Sequence, residues 1–526
     1  MKKAKNLHNL LDYYLGKEWS QRKIQGKTFD EIFSIDAIPL SWFFRRLFVL
    51  HIIPPQFKAH LLITKIESGS VLSAREKLKF RLSTFLYRKS LQLNEQLKIA
   101  AATKKKEYNQ QQKKHALFLI PSNHINTAQK TVFRINKVIT TLQEKKIDVL
   151  QLVFDPLSRK SYQKIRQAQD TIYEYVNKEV IQKARKKAHQ LFTQWTALSE
   201  KEKEELFSSK DVSLWPYFKY YLDFFFSPEF LFYQCVYYEA LHKIVKLNRV
   251  ETVVLTSQNS IFEKALLAVA KLHKIPVILI QHGLGEGVVD PDVFENTTIA
   301  VFGTMSKERL LKVGVSEKNI AIVGPIIFED IIKYKQKNVT NSDRKKIVII
   351  TEPFVEGNAI GKKEYFSYIT KMIQEINSLH DISITIKLHP VEKSLPEYQK
   401  IIQKIGCDNV QVTQRVGSDY LYQLLSESDL IIEFGSTVAI EAMILGKPVI
   451  TTNFCPIEGG IYELVSQCTG TYKVDHTENI SHAIKKVLSK DRLQEQRKKT
   501  VEHMCGTIDG KASERIANMI AANFKK

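Results

Sequence analysis

Residues 429–450, DLIIEFGSTVAIEAMILGKPVI, leave the chain few ways to fold. Residues 430–433 are apolar until the last, Gly435, Ser436 and Thr437 can open a helix, and Gly446 to Pro448 can close it before a second apolar run. The segment therefore reads as strand, loop, helix, turn and returning strand. A helix N-terminus presents unpaired N–H groups and a favourable dipole, so a phosphate or diphosphate over residues 435–438 would find donors there, with the Ser436 and Thr437 hydroxyls beside them. Glu441, one turn farther on, is then placed to accept from a ribose hydroxyl. The plainer alternative is a βαβ unit in which Ser436 or Thr437 only caps the helix and Glu441 is solvated.

The same alternation recurs upstream. Apolar runs at 116–120, 149–154, 252–255, 276–280, 298–303 and 320–323 read as strands, with helices expected at 127–145 and 261–271. A second series begins at 346–350 and continues through 381–388 and 410–413. Two α/β domains with parallel sheets are expected. The boundaries fall at 1–112 for a basic, mostly helical N-terminal region, 113–330 for the first domain, 331–505 for the second, and 506–526 for a terminal helix. Charged helices over 161–205 and an aromatic pair over 215–238 look like insertions in the first domain. The polar run 104–114 looks like a solvated linker.

In open parallel sheets ligands approach the carboxyl ends of strands, so chemistry-bearing residues there are the candidates. The strand at 276–280 delivers QHGLGEG, in which His282 can take a proton from an acceptor hydroxyl and Glu286 can orient it or serve as base. Thr351 or Glu352 approaches a nucleotide from the first strand of the second series, and Thr351 is taken as the contact. His389 ends the strand 381–388 and can bond a donor phosphate, stabilising charge on the leaving group, while Lys387 points to the opposite face. His124, after the first strand, is either a ligand contact, a local hydrogen-bonding group or a surface residue. Trp215, Tyr217, Tyr220, Tyr221 and Tyr237 form either a platform for an acceptor sugar or a helix core. Cys235 reads as packing.

A formal charge of +22 over 526 residues predicts attraction to anions. Nucleic acid is not the expected anion, because zinc-finger spacing, an RNA-binding aromatic motif and a long repetitive basic tail are all missing. Residues 38–53 set Trp42, Phe43 and Phe44 against Arg45 and Arg46, which suits either an anionic membrane surface or a buried helix whose arginines reach water. The five cysteines are scattered, as in a reduced cytoplasmic protein, and no metal site or cofactor is implied. With neither a secretory signal nor a membrane span in the pattern, the expected location is cytoplasmic, with any membrane attachment peripheral.

The order QHG at 281–283, GP at 324–325, KLHP at 387–390, GSTVAIEAMILGKPVI at 435–450 and DGKASERIA at 509–517 resembles a family. It is similar to the two-domain transferases of bacterial capsules, surface polysaccharides and teichoic acids, with polysialyltransferase-like enzymes among the relatives. The resemblance spans about residues 113–524. It implies a GT-B fold, two Rossmann-like domains facing a cleft, with an acceptor-side first domain, a donor-side second domain and a terminal helix crossing back. It also implies roles: His282 as acceptor-activating base, His389 as phosphate ligand, Gly435, Ser436 and Thr437 at the donor phosphate, and Glu441 at the ribose. Gln281 stands where the glycerophosphotransferases often carry tryptophan. The implied activity is glycosyl transfer from a CMP-, UDP- or related nucleotide-linked sugar to a polysaccharide or lipid-linked acceptor. The alternatives are a CDP-glycerol-type glycerophosphotransferase, a UDP-sugar epimerase and a non-catalytic envelope-assembly module.

Overall fold

A computed structural model describes residues 19–44, 73–102, 113–126, 131–154, 170–209, 212–213, 215–258, 260–284, 295–335, 344–357, 359–379, 381–453, 468–475 and 479–524. Glu286, the side chains of Phe43, Phe44, Tyr217, Tyr220 and Tyr221, Arg45 and Arg46, and the polar run at 104–112 lie outside the described residues. The chain divides into two compact units, one drawn from Met1–Ile280, Asp292–Thr298 and Ile520–Lys526, the other from Gln281–Pro291 and Ile299–Met519.

The strands of the first sheet are β1 (His115–Pro121), β2 (Asp148–Phe154), β3 (Asp170–Thr171), β4 (Val250–Leu255), β5 (Val277–Ile280), β6 (Thr297–Val301) and β7 (Ile320–Ile322). Their order is β7-β6-β5-β4-β1-β2-β3, with β1 pairing in parallel with both β2 and β4. The second sheet holds β8 (Lys345–Ile350), β9 (Ile382–Lys387), β10 (Val410–Thr413), β11 (Leu430–Glu433), β12 (Val449–Asn453) and β13 (Tyr472–Asp475), in the order β10-β9-β8-β11-β12-β13, every pair parallel. Central strands such as β1 and β11 are buried along almost their whole length, which is why they read as unbroken apolar runs rather than as alternation. These are the two Rossmann-like parallel sheets that the GT-B expectation requires.

In the organising segment, β11 is followed by a helix at Val438–Ile444 and returns as β12. The helix expected at 127–145 begins only at Asn136, because Ile125–Asn126 and Thr131–Val132 pair as an antiparallel hairpin first. β-Branched residues at the hairpin favour the extended chain over the helix.

Apolar packing decides two open readings in favour of the core, against an interface at Trp42 and an acceptor contact at Trp215. Trp42 is 3% exposed, and Lys264 donates from Nζ to its carbonyl at 2.7 Å while lying 5.4 Å from the ring centroid. The ring is thus part of the core of the first unit and unavailable to lipid. Trp215 is also buried, stacked on Phe207 at 5.9 Å and lying 6.2 Å from Trp195, which itself stacks on Phe226 at 4.1 Å. Tyr237 is buried against Phe262, with ring centroids 4.2 Å apart. Trp215 and Tyr237 therefore belong to a helix core and offer no face to an acceptor sugar. Cys235 packs in the same layer, its thiol pushed up to about 12 by burial.

Candidate functional site

The second sheet has its topological switch at β8. The chain lays β9 and β10 on one side of that strand and β11, β12 and β13 on the other, so the crevice opens beyond the carboxyl ends of its central strands. Register brings Lys387, Ile350 and Glu433 into one row. The residues that follow, Thr351 and Glu352, Leu388 and His389, and Phe434 to Ser436, therefore emerge side by side.

Glu352 is half-buried at this edge. Burial raises its carboxyl, while a hydrogen bond from Ser436 and the charge of His389 pull it back. His389 is also half-buried, and its ring has a fixed sense: Val391 donates its backbone N–H to Nδ1 at 3.3 Å, so a neutral imidazole carries its proton on Nε2. The backbone N–H of His389 donates to Glu392 at 2.7 Å and to the Thr351 hydroxyl at 3.2 Å. His389, Glu352 and Ser436 form the polar centre of the site.

Below this centre lie two buried carboxylates that the motif pattern does not pick out. Glu433 accepts from the backbone N–H groups of Gly435 at 2.5 Å and Ser436 at 2.6 Å, and from the Thr451 hydroxyl. Burial pushes its carboxyl up to about 7. Glu392 accepts from the Thr351 hydroxyl and from the Tyr398 hydroxyl at 3.4 Å, and burial pushes it up to about 7 as well. The available signals are slight: an acid closing an otherwise apolar strand, and an acid three residues after the histidine of KLHP.

These contacts correct the expected cradle. The N–H groups of Gly435 and Ser436 are occupied by Glu433, and that of Val438 by the Ser436 hydroxyl at 3.4 Å. The carboxylate ending β11 folds back because it is wholly buried and needs donors. Gly435 makes the turn at φ +95°, a conformation that suits glycine. Thr437 makes no capping bond with its side chain. Glu441 keeps part of its surface open, yet burial pushes its carboxyl up to about 8.

Thr351 is fully buried, with its hydroxyl committed to Glu392. It supports the His389 loop and is withdrawn from the nucleotide contact expected of it. Lys387 is buried too, donating from Nζ to the Leu388 carbonyl at 2.6 Å, and burial lowers its pKa.

His282 follows β5 and is half-buried. Gln281 fixes its loop: the side-chain amide donates to the Gly283 carbonyl at 2.8 Å and accepts from the Phe302 N–H at 2.8 Å. His282 and His389 both fall within the second unit. His124 ends a short turn after β1, edge-on to Phe133 with ring centroids 5.8 Å apart; burial first, then the charge of Arg134, lowers its pKa.

The GP and DGKASERIA motifs form one latch. Arg515 pairs with Asp509 through both guanidinium nitrogens at 2.8 and 3.0 Å, and its Nε donates to the Val323 carbonyl at 2.7 Å. The Ser513 hydroxyl donates to Glu329 at 3.0 Å. A Cβ on Gly324 would stand 2.7 Å from the Thr507 carbonyl oxygen, and one on Gly303 would stand 2.7 Å from the Gly506 nitrogen. Among the described residues no group of three or more His, Cys, Asp or Glu side chains is placed to hold a metal, and no helix is long and apolar enough to cross a membrane.

The architecture and site define a two-sheet α/β protein with a polar crevice at the second sheet's switch point. Residues 297–521, under half of the chain, match the family model of UDP-N-acetylglucosamine 2-epimerase. Among solved structures, the chain is similar to UDP-GlcNAc 2-epimerase from Neisseria meningitidis bound to UDP-GlcNAc, at 16% identity and TM-score 0.46 over 78% of this chain and 100% of that one. It is also similar to MurG from Acinetobacter baumannii, at 11% identity and TM-score 0.46 over 78% and 99%. The glycosyltransferase of kitacinnamycin gives 11% identity and TM-score 0.43 over 78% and 100%. No curated protein matches.

Proposed function

We propose that this protein is an enzyme of nucleotide-sugar chemistry whose second unit holds a UDP-N-acetylhexosamine, and that it inverts the sugar at C2. The observation that carries the reading is the match of residues 297–521 to the 2-epimerase family model, a span that includes Glu352, His389, Ser436 and Glu441. In this reading the Nε2–H of His389 and the Ser436 hydroxyl contact the diphosphate, and Glu441 meets the ribose. The C2 hydrogen of such a sugar has no adjacent carbonyl to acidify it, so its loss is coupled to departure of UDP from C1. A carboxylate takes the C2 proton, the C–H electron pair forms the C1–C2 double bond, and UDP leaves with the electrons of the C1–O bond. Return of a proton to the other face of C2 and of UDP to C1 completes the inversion. Glu352 is the candidate base, a half-buried carboxylate beside His389 and Ser436 at the carboxyl edge of the sheet.

Glycosyl transfer is the second reading, favoured by the order of QHG, GP and KLHP in the chain. It shares the departure of UDP and replaces proton loss by attack of an acceptor hydroxyl, with His282 as base. One experiment separates them. Incubation with UDP-GlcNAc in deuterium oxide without acceptor gives deuterium at C2 if the enzyme epimerises. Release of UDP that depends on added saccharide acceptor, with no deuterium incorporation, establishes transfer and removes the epimerase.

A further inference from the structure

The helix Ala74–Ala102 packs by one side and, among the described residues, leaves large apolar side chains exposed on the other. On the held side, Tyr87 meets Phe224 with ring centroids 5.6 Å apart, the Tyr233 hydroxyl donates to the Gln92 carbonyl at 3.2 Å, and Lys98 and Glu95 pair at 2.8 Å while fully buried. Those contacts fix the rotation of the helix. Leu78, Leu82, Phe85, Leu86 and Leu93 consequently face out, with exposures from 47% at Phe85 to 68% at Leu78. Their spacing places them along one stripe of the helix. A run of large exposed apolar side chains this long marks a surface that meets something.

The charges around the stripe select what it meets. Arg75 and Lys89 fall on it and Lys79 beside it, and Glu76 is the only acid between residues 75 and 89. Arg88 and Lys89 lean toward Glu229 of the neighbouring helix, at 3.7 and 3.8 Å. A second copy stacked stripe to stripe would bring like charges together, at a cost that grows as the contact dries. A lipid surface with anionic headgroups accepts both parts of the pattern, the leucines at the acyl boundary and the cations among the phosphates.

We propose that the stripe from Leu78 to Leu93 seats this protein on an anionic lipid surface, with the helix lying in the plane of the interface. The inference is independent of which reaction the second unit performs. It also moves the membrane contact away from Trp42, which is core.

The test is cosedimentation of the full chain with vesicles of phosphatidylcholine alone and of phosphatidylcholine mixed with phosphatidylglycerol. The full chain binds the anionic vesicles and releases as salt is raised. Combining Leu82→Gln, Phe85→Gln and Leu86→Gln lowers partitioning by more than about tenfold with an unchanged circular-dichroism melt, because these side chains are exposed in the fold. Combining Arg75→Gln and Lys79→Gln lowers it about fivefold per cation. Equal binding to both vesicle types, no binding to either, or an apolar variant that binds like the parent each overturns the proposal. So does an apolar variant whose vesicle-free oligomeric state changes by analytical ultracentrifugation while vesicle binding persists, since the stripe is then a contact between copies.

Discussion

The two sheets share a topology and differ in what they place at its critical point. Each has its first strand flanked on both sides, β1 by β2 and β4, β8 by β9 and β11. At the switch of the first sheet, β1 runs into the turn that carries His124, near Arg134, and β4 runs into buried Thr256 and Gln258. At the switch of the second, Glu352, His389 and Ser436 sit over buried Glu392 and Glu433. A crevice lined with carboxylates looks hostile to a diphosphate. Burial removes much of that objection, because acids pushed up to about 7 carry reduced charge near neutral pH, and backbone and hydroxyl donors hold them. The backbone topology brings these residues to one edge, and of the buried acids beneath it Glu392 holds the backbone at His389 while Glu433 holds the turn at Gly435 and Ser436.

The sharpest way to break this comparison is to remove one histidine from each switch point. His389→Ala is expected to lower turnover about a hundredfold or more and to weaken UDP binding about tenfold, measured by steady-state kinetics and calorimetric titration. His124→Ala is expected to leave UDP affinity within about twofold. Equal losses would abolish the assignment of the nucleotide to the second unit.

Next in size is Gly435→Ala. A side chain at φ +95° is strained, and the expected cost is about 1–3 kcal/mol in urea denaturation. Ser436→Ala follows, losing an ordinary hydrogen bond of about 0.5–1.5 kcal/mol, or roughly a two- to tenfold rise in the UDP dissociation constant. Unchanged affinity would leave Ser436 as a support for Glu352 alone.

The finest test is a slope. Burial pushes the Glu433 carboxyl from its ordinary 4.5 up to about 7, so its stabilising contribution is complete below about 4.5 and is lost as pH rises through about 7. Glu433→Gln is therefore expected to lose less melting temperature than the parent between about pH 5 and 8. Parallel curves would show that another group carries that pH dependence.

The strands were legible because parallel strands covered on both faces must be apolar throughout, as in 116–120 and 430–433. The position of His389 was legible for the same reason, since it ends such a run. What lay beneath it was not. A helix start after GST advertises open N–H groups, and nothing in the spacing says that Glu433 will fill two of them from the preceding strand. Thr351 failed similarly: its partner Glu392 is 41 residues away. Trp42 and Trp215 were ambiguous because an aromatic beside cations has the same composition at a lipid interface and inside a core. Lys264, which covers Trp42 from 222 residues away, settles the first; the Trp195–Phe226 stack settles the second.

The latch around Gly324 has a bearing on how the second unit is made. Val323 and Glu329 find Arg515 and Ser513 across 192 and 184 residues of chain. At ribosomal speeds of about 5–20 residues per second, those partners arrive roughly 10–40 s later. For that interval Glu329 lacks the hydroxyl that holds it, and the tight turn at Gly324 lacks the segment it is shaped to meet. The second unit thus reaches its final packing only after the segment 506–515 has been synthesised, so a pause or frameshift late in translation would leave the turn at Gly324 open to chaperones and proteases.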